Sequence, residues 1–312
     1  MIIASYNLDG LDDTGEDPRD FGARVAVLRP KLVDLDAEIL CLQEVRSQRI
    51  GAKRRLRALE RLLEGTRYAR YHRVHTVTET GRATDVNHLV ILSSFPILRH
   101  GKISHELVPP LPCHQPVRGS RCDPISWDRP FLYALLDCGE GRHIWIVNLH
   151  LRAPIAARVP QGRTRKVWRS TPLWAEGFFR AALMRIGQAL EVRLFVDRLF
   201  DEDPTARICV CGDFNAEGAE MPLRLIRADP EDTEAPALRS RRLLPLDRAG
   251  SSAVHAGRPM RPDHLLASTQ LAAAHRRSDL INRNLPDDTQ VGAVDSPHAP
   301  ILAEFDLRRV IG

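Results

Sequence analysis

Residues 208–218 read ICVCGDFNAEG, and the character of the chain changes in the middle of them. Ile208 to Cys211 is a short apolar, β-rich run of the kind that forms a buried strand. Gly212 then gives way to Asp213, Phe214 and Asn215. Because side chains alternate faces along an extended segment, Asp213 and Asn215 are expected to look the same way while Phe214 turns to the interior. A carboxylate and a carboxamide would then sit together at the mouth of a core strand, with Gly212 letting backbone or ligand come close.

Similar runs recur at 1–7, 38–43, 68–77, 88–93, 130–137, 143–149, 262–267 and 300–306. Helical patterns lie between some of them. The one at 20–36 contains Pro30, expected to kink or divide it. A short basic amphipathic helix is expected at 47–64. The clearest pattern, 174–200, spaces Trp174, Phe178, Ala181, Leu183, Ile186, Leu190, Leu194 and Phe195 for a long helix packed on one face. Strands alternating with helices, followed by strands without them, predict a mixed α/β architecture of helix-covered sheets. No fixed-period repeat or low-complexity linker divides the chain, so residues 1–312 are read as one domain with a basic loop inserted at about 151–174.

Composition agrees with a globular chain: 312 residues, 43% hydrophobic, with 45 Lys and Arg against 40 Asp and Glu. The resulting net charge of +5 permits an anionic partner without requiring one. No window approaches the roughly 18 apolar residues that span a bilayer, and the N-terminus starts as a strand without the basic-then-apolar pattern of a signal peptide, which predicts a soluble, cytoplasmic protein. Of the six cysteines, Cys41, Cys209 and Cys211 lie in apolar runs and read as small buried thiols. The C-x-C spacing of Cys209 and Cys211 lacks the second pair that a structural zinc site would need. No feature points to a protein partner.

Several strands end, or begin, with polar residues suited to phosphate or metal: Asn7; Gln43 and Glu44; Asn148 and His150; Asp213; Asp263 at the start of its strand; and His298 just before the last one. Sites assemble at sheet edges because rigid strands fix positions there while loop ends stay accessible. In this order and at these spacings, the set YN, LQEV, VNLHL, CGDFNA, DH and SPHAP resembles the endonuclease/exonuclease/phosphatase superfamily, over nearly the whole chain from Asn7 to His298. The resemblance implies a four-layer α/β/β/α sandwich, two packed mixed sheets flanked by helices, with the site along one edge of the sheets.

It also implies roles. Phosphodiesters resist hydrolysis because their charge repels nucleophiles and the departing alkoxide leaves poorly. Glu44 is the expected ligand of Mg²⁺ or Mn²⁺, hard ions that take one or two carboxylates plus water and substrate oxygens. Asn7 is expected to support the metal and phosphate. Asp213 would orient water or the leaving group, and the Asn215 amide would donate to a phosphate oxygen. His298 should pair with Asp263, which fixes its tautomer and raises its basicity. His150 matches a second histidine placed to donate a proton or hydrogen bond to phosphate. Which group is acid and which base stays open at this level.

Two departures stand out. The final motif reads Ser296-Pro297-His298 where relatives have an acid directly before the histidine, leaving Asp295, three residues earlier, as the nearest substitute metal contact. Asn87 stands where a glutamate would orient the first histidine. Beyond His150, Arg152, Arg158, Arg163, Arg165, Lys166 and Arg169 share a segment, 151–169, that contains no acid. With Trp168, and Arg129 upstream, it reads as a nucleic-acid-binding surface, or else as a solvated loop whose tryptophans cap the long helix. Six acids in 9–20 oppose a duplex. The expected function is a metal-dependent phosphodiester hydrolase with nucleic acid as leading substrate. The rivals are a phosphatase or phosphodiesterase of a small phosphorylated metabolite or lipid headgroup, and a phosphate-binding module without turnover.

Overall fold

The computed structural model describes residues 1–15, 19–77, 87–112, 123–127, 129–159, 162–164, 167–246, 250–290 and 292–309. Its frame is two six-stranded mixed sheets. The first runs, edge to edge, through strands 275–280, 301–305, 2–11, 39–46, 87–93 and 72–75. The second runs through 243–245, 263–268, 208–213, 143–150, 131–137 and 97–103.

Strand alternation explains the layers. Ile39 and Cys41 face the second sheet and share one buried cluster with Ile91, Leu132, Ile144, Ile146, Cys209 and Cys211. Their neighbours Leu40 and Leu42 face the other way, onto Leu28, Leu32 and Leu35 of helix Phe21–Leu35 and Leu59 and Leu62 of helix Arg57–Leu63. On the far side, Val147, Leu149, Ile208 and Val210 pack on Val192, Phe195, Val196 and Leu199 of helix Thr171–Glu202. Both faces of each sheet are therefore buried, which gives the expected α/β/β/α sandwich.

Each sheet contains one parallel pair, 2–11 with 39–46 and 143–150 with 208–213, and each pair is joined through a helix. The four parallel strands carry Asn7, Glu44, His150 and Asp213 at or near their carboxyl ends. Strands 263–268 and 301–305 are antiparallel to their neighbours, so their starting ends reach the same rim.

Three local expectations change. Helix Phe21–Leu35 is one continuous element through Pro30. Residues 47–64 are not a single helix: Gln48–Ile50 and Lys53–Arg55 pair as a hairpin, with Gly51 at φ +62° in its turn, before helix Arg57–Leu63. The run at 68–77 opens with a 3₁₀ turn, Arg67–Arg70, leaving only His72–His75 as strand.

The long helix keeps part of the face its apolar spacing predicts, burying Ala181 and Phe195, but not the rest. Trp174, Phe178, Leu190 and Leu194 are exposed, while Glu176, Arg180, Gln188, Glu191 and Arg193 are buried. Those polar side chains hold loops. Glu191 accepts from Leu107 N at 3.1 Å and Trp127 Nε1 at 3.2 Å. Gln188 accepts from Arg152 N at 2.8 Å and donates to the Arg129 carbonyl at 3.1 Å. The helix is thus a scaffold for the segments on either side of His150, and its polar residues satisfy loop backbone that would otherwise be buried unpaired.

Candidate active site

Asp213 is the centre of the cluster at the strand ends. It pairs in register with His150 on one side and Asp263 on the other, so one rung of the second sheet carries three chemically active residues. Gly212, one step before it, has φ +138°, and a Cβ there would collide with the Leu149 carbonyl oxygen. Only glycine allows strands 143–150 and 208–213 to run this closely into the rung. Phe214 turns into the core as expected. Asn215 differs: the strand ends at Asp213, Asn215 takes φ +47°, its Nδ2 donates to the Leu151 carbonyl at 3.0 Å and its backbone N–H to Asp213 Oδ1 at 2.9 Å. It braces Asp213 as well as standing beside it.

The first sheet supplies Asn7 and Glu44. Asn7 Nδ2 donates to Asp213 Oδ2 at 3.0 Å and lies 3.5 Å from Glu44 Oε1, spanning the two sheets. Asn87 Nδ2 lies 3.5 Å from Glu44 Oε2. Glu44 has φ +56°, a left-handed conformation uncommon for a non-glycine residue.

The loop carrying His298 is fastened from several sides. Ser296 Oγ donates to the Asn7 carbonyl at 2.7 Å and accepts from His298 N at 3.1 Å. Buried Arg24 reaches the carbonyls of Leu8 at 2.5 Å and Val294 at 3.3 Å. His298 Nδ1 meets Asp263 Oδ2 at 2.8 Å, and Ser252 Oγ donates to the same oxygen at 2.8 Å. His298 Nε2 is left facing Asp213 Oδ2 at 3.9 Å.

The electrostatics separate the two histidines. Burial acts against the His298 imidazolium, but Asp263, Asp213 and Glu44 outweigh it and push its pKa up to about 10. For His150, burial comes first and Arg129 and His298 add to it, holding the pKa well below the usual histidine range. Arg129 Nη1 lies 2.7 Å from His150 Nε2. A guanidinium can only donate, so this nitrogen is the acceptor. The same Nε2 lies 3.4 Å from Asp213 Oδ2 and 3.8 Å from Glu44 Oε1. Burial, with neighbouring Asp263 and Glu44, raises Asp213 to about 7 against the opposing pull of His298.

Other expected residues have contacts of their own. The Asp295 carboxylate pairs with Lys31 and receives Tyr6 Oη at 3.5 Å and Ser296 N at 2.8 Å. Trp168 covers Gly177 of the long helix, where a Cβ would come within 2.8 Å of its ring. The backbone of Arg152 is tied to Gln188 as above, and Arg165 and Lys166 fall outside the described residues. Three of the six acids at 9–20 face cations: Asp9 pairs with Arg19, Asp12 lies 3.8 Å from Arg46, and Asp13 pairs with Arg57 at 2.8 Å and Arg61 at 3.1 Å, while Glu16 and Asp17 fall outside the described residues. Sequence reasoning missed the supporting residues Arg24, Ser252 and Ser296. Ser296, inside the quoted SPHAP motif, was the most findable.

The donor chemistry suits a hard divalent ion. Glu44 is the most open carboxylate of the group, with its side chain 22% exposed, whereas Asp213 is buried. Asp213, Asp263 and His298 also offer ligand atoms within 4.8 Å of one another, although two of them are already committed to each other.

Comparison with known proteins fits this geometry. A family model described as the Endonuclease/Exonuclease/phosphatase family matches residues 4–284. Similar solved structures include truncated TDP2 of Caenorhabditis elegans, with 18% identity, TM-score 0.57, and 97% of this chain and 96% of that one covered. A mannosyl-6-phosphatase of Bacteroides thetaiotaomicron shows 15% identity and TM-score 0.60, covering 98% and 99%. A 3'-5' exonuclease of Neisseria meningitidis shows 16% identity and TM-score 0.54, covering 98% and 100%. No curated protein matches the sequence by direct comparison.

Proposed function

The chain belongs to the endonuclease/exonuclease/phosphatase family, and from that premise we propose that it is a divalent-metal-dependent phosphodiester hydrolase with nucleic acid as its leading substrate. The observation that carries the reading is the convergence of Asn7, Glu44 and His298, on the first sheet and the loop leading into it, with His150, Asp213 and Asp263 of the second, across contacts of 2.8–3.9 Å.

Glu44, supported by Asn7, would hold Mg²⁺ or Mn²⁺, which when bound withdraws charge from the phosphate oxygens. The protein's own groups then divide the proton work, because their environments push their pKa values apart. Asp213, held near neutrality, accepts the proton of the attacking water, with Asn7 and Asn215 fixing its carboxylate. His298 is kept protonated by Asp263 and presents Nε2 to the phosphate or the departing oxygen. Arg129 adds a permanent cation at the position where His150 anchors it. Pairing of the Asp9, Asp12 and Asp13 carboxylates removes much of the repulsion that the acidic loop alone would impose on a polyanion.

Plasmid, single-stranded DNA, RNA, bis-p-nitrophenyl phosphate and p-nitrophenyl phosphate, each with Mg²⁺, Mn²⁺ or EDTA, form the test. Nicking or degradation of nucleic acid with diester turnover, lost in EDTA, is expected. Monoester turnover alone would replace this reading with a phosphatase, and inertness with every substrate and ion would replace it with a binding module.

No helix among the described residues is long and apolar enough to cross a membrane.

A further inference from the structure

One layer beneath the active site, the two sheets are joined by a buried amide. Asn148 lies two residues before His150 on strand His143–His150, and its side chain points at the first sheet. Its Nδ2 donates to the carbonyls of Leu42 and Val90, both at 3.0 Å, and its Oδ1 accepts from Gln43 Nε2 at 2.7 Å. Both amide hydrogens and the oxygen are therefore engaged, all with partners on the opposite sheet. Because the two carbonyls can only accept, the orientation of the amide is fixed.

The position of this grip matters. Leu42 pairs with Val90, but the next pair is Val45 with His88, so Gln43 and Glu44 together oppose the single residue Leu89. That two-against-one count is a β-bulge, the device by which a strand re-aims a side chain. Ile39, Cys41 and Gln43 face the second sheet. Regular alternation would send Glu44 the other way, into the helix-covered layer with Leu40 and Leu42. The bulge and the φ of +56° at Glu44 turn it back toward Asn7 and His150.

We propose that Asn148 is the positioning residue that holds this bulge, and through it sets the Glu44 carboxylate in the active site. It binds the strands on both sides of the irregularity, at the last regular pair before the bulge begins. Replaced by a side chain without donors, it would leave the Leu42 and Val90 carbonyls buried without this partner. The strand would then relax toward regular pairing, which carries Glu44 out of the site. The proposal rests on the reading of Glu44 as the metal ligand.

Electron paramagnetic resonance of Mn²⁺ added to the metal-free full chain reads the effect without turnover. Glu44→Gln is expected to abolish the high-affinity Mn²⁺ signal. Asn148→Leu, of similar volume but without donors, should weaken Mn²⁺ binding by about 10- to 100-fold, the usual effect of losing a residue that orients a ligand. Asn148→Ser, which keeps one donor, should fall between it and the wild type and guards against failure of the leucine variant to fold. Ile146→Ala, on the same strand and in the same inter-sheet core, controls for simple loss of packing: it should lower the thermal midpoint while Mn²⁺ affinity stays within about threefold of wild type. Wild-type affinity in both Asn148 variants, with Glu44→Gln inactive in binding, overturns the proposal alone. A wild-type Mn²⁺ site that survives Glu44→Gln overturns the reading beneath it.

Discussion

Replacing Asp263 by asparagine removes a charge while keeping nearly the same shape, and the structure states what that charge does. Asp263 is the foremost of the three carboxylates that hold the His298 pKa at about 10 against a reference of 6.5. That difference corresponds to about 5 kcal/mol in favour of the imidazolium. If Asp263 supplies roughly half, its loss weakens the charged form by about 2–3 kcal/mol, which lowers the His298 pKa to about 8, so the imidazolium still predominates at pH 7 and is lost about two pH units earlier on the alkaline side. Ser252 Oγ can still bond the amide, so the backbone around position 263 has no reason to move. Asp263→Asn should therefore move the alkaline limb of the kcat profile for bis-p-nitrophenyl phosphate from about pH 10 down to about pH 8, with KM changed only a few-fold. The thermal midpoint should show an intact fold. Because the two residues act as a unit, the double variant Asp263→Asn/His298→Ala should be no slower than His298→Ala alone, to within about threefold. An alkaline limb that stays in place in Asp263→Asn, or full additivity in the double variant, refutes the argument.

Three further outcomes follow from the same geometry. Arg129→Ala should lower kcat/KM by about 10²-fold, with partial recovery when guanidinium is added to the assay; an unchanged value would show that this cation does not touch the reaction. Gly212→Ala forces a Cβ into the Leu149 carbonyl; calorimetry should show a destabilisation of about 3 kcal/mol or more, and a thermal midpoint within about 2 °C of wild type would contradict the packing described. The third concerns pH. His298 has a folded pKa of about 10, above its reference of 6.5, so its stabilisation is complete below 6.5 and lost as pH rises through 10. Metal-free wild type should accordingly lose more thermal stability between pH 7 and pH 10 than His298→Asn does, and parallel melting curves would refute the pairing.

The frame and the polar cluster were legible because both rest on short-range regularities. Alternation along strands such as 39–46 and 208–213 marks buried faces, and the polar residues at their ends interrupt that pattern visibly. The long helix misled because apolar spacing reports only one way of covering a helix. Glu191 and Gln188 are buried for their hydrogen bonds to loops, which no periodicity encodes, so the apolar stripe marks only part of the buried face. The hairpin at 48–55 was hidden for a related reason: its charged residues suit an exposed helix equally well, and only the turn at Gly51 separates the two. Asp295 was judged by its distance along the chain, whereas its place is set by Lys31, whose position in space depends on the whole fold. Arg24 and Ser252 could not be found at all, since their value lies in carbonyls and carboxylates distant in sequence.

The contact of Arg129 Nη1 with His150 Nε2, at 2.7 Å, bears on the amide at position 87. A histidine that must be protonated needs a carboxylate to keep it so, and position 87 holds an amide instead. Here the need disappears, because the cation at this corner is a guanidinium that stays charged at any working pH. His150 then serves best as a neutral imidazole, and burial beside Arg129 drives it to that form. The site is left with one titrating cation, His298, and its acid partner Asp263, bonded at 2.8 Å.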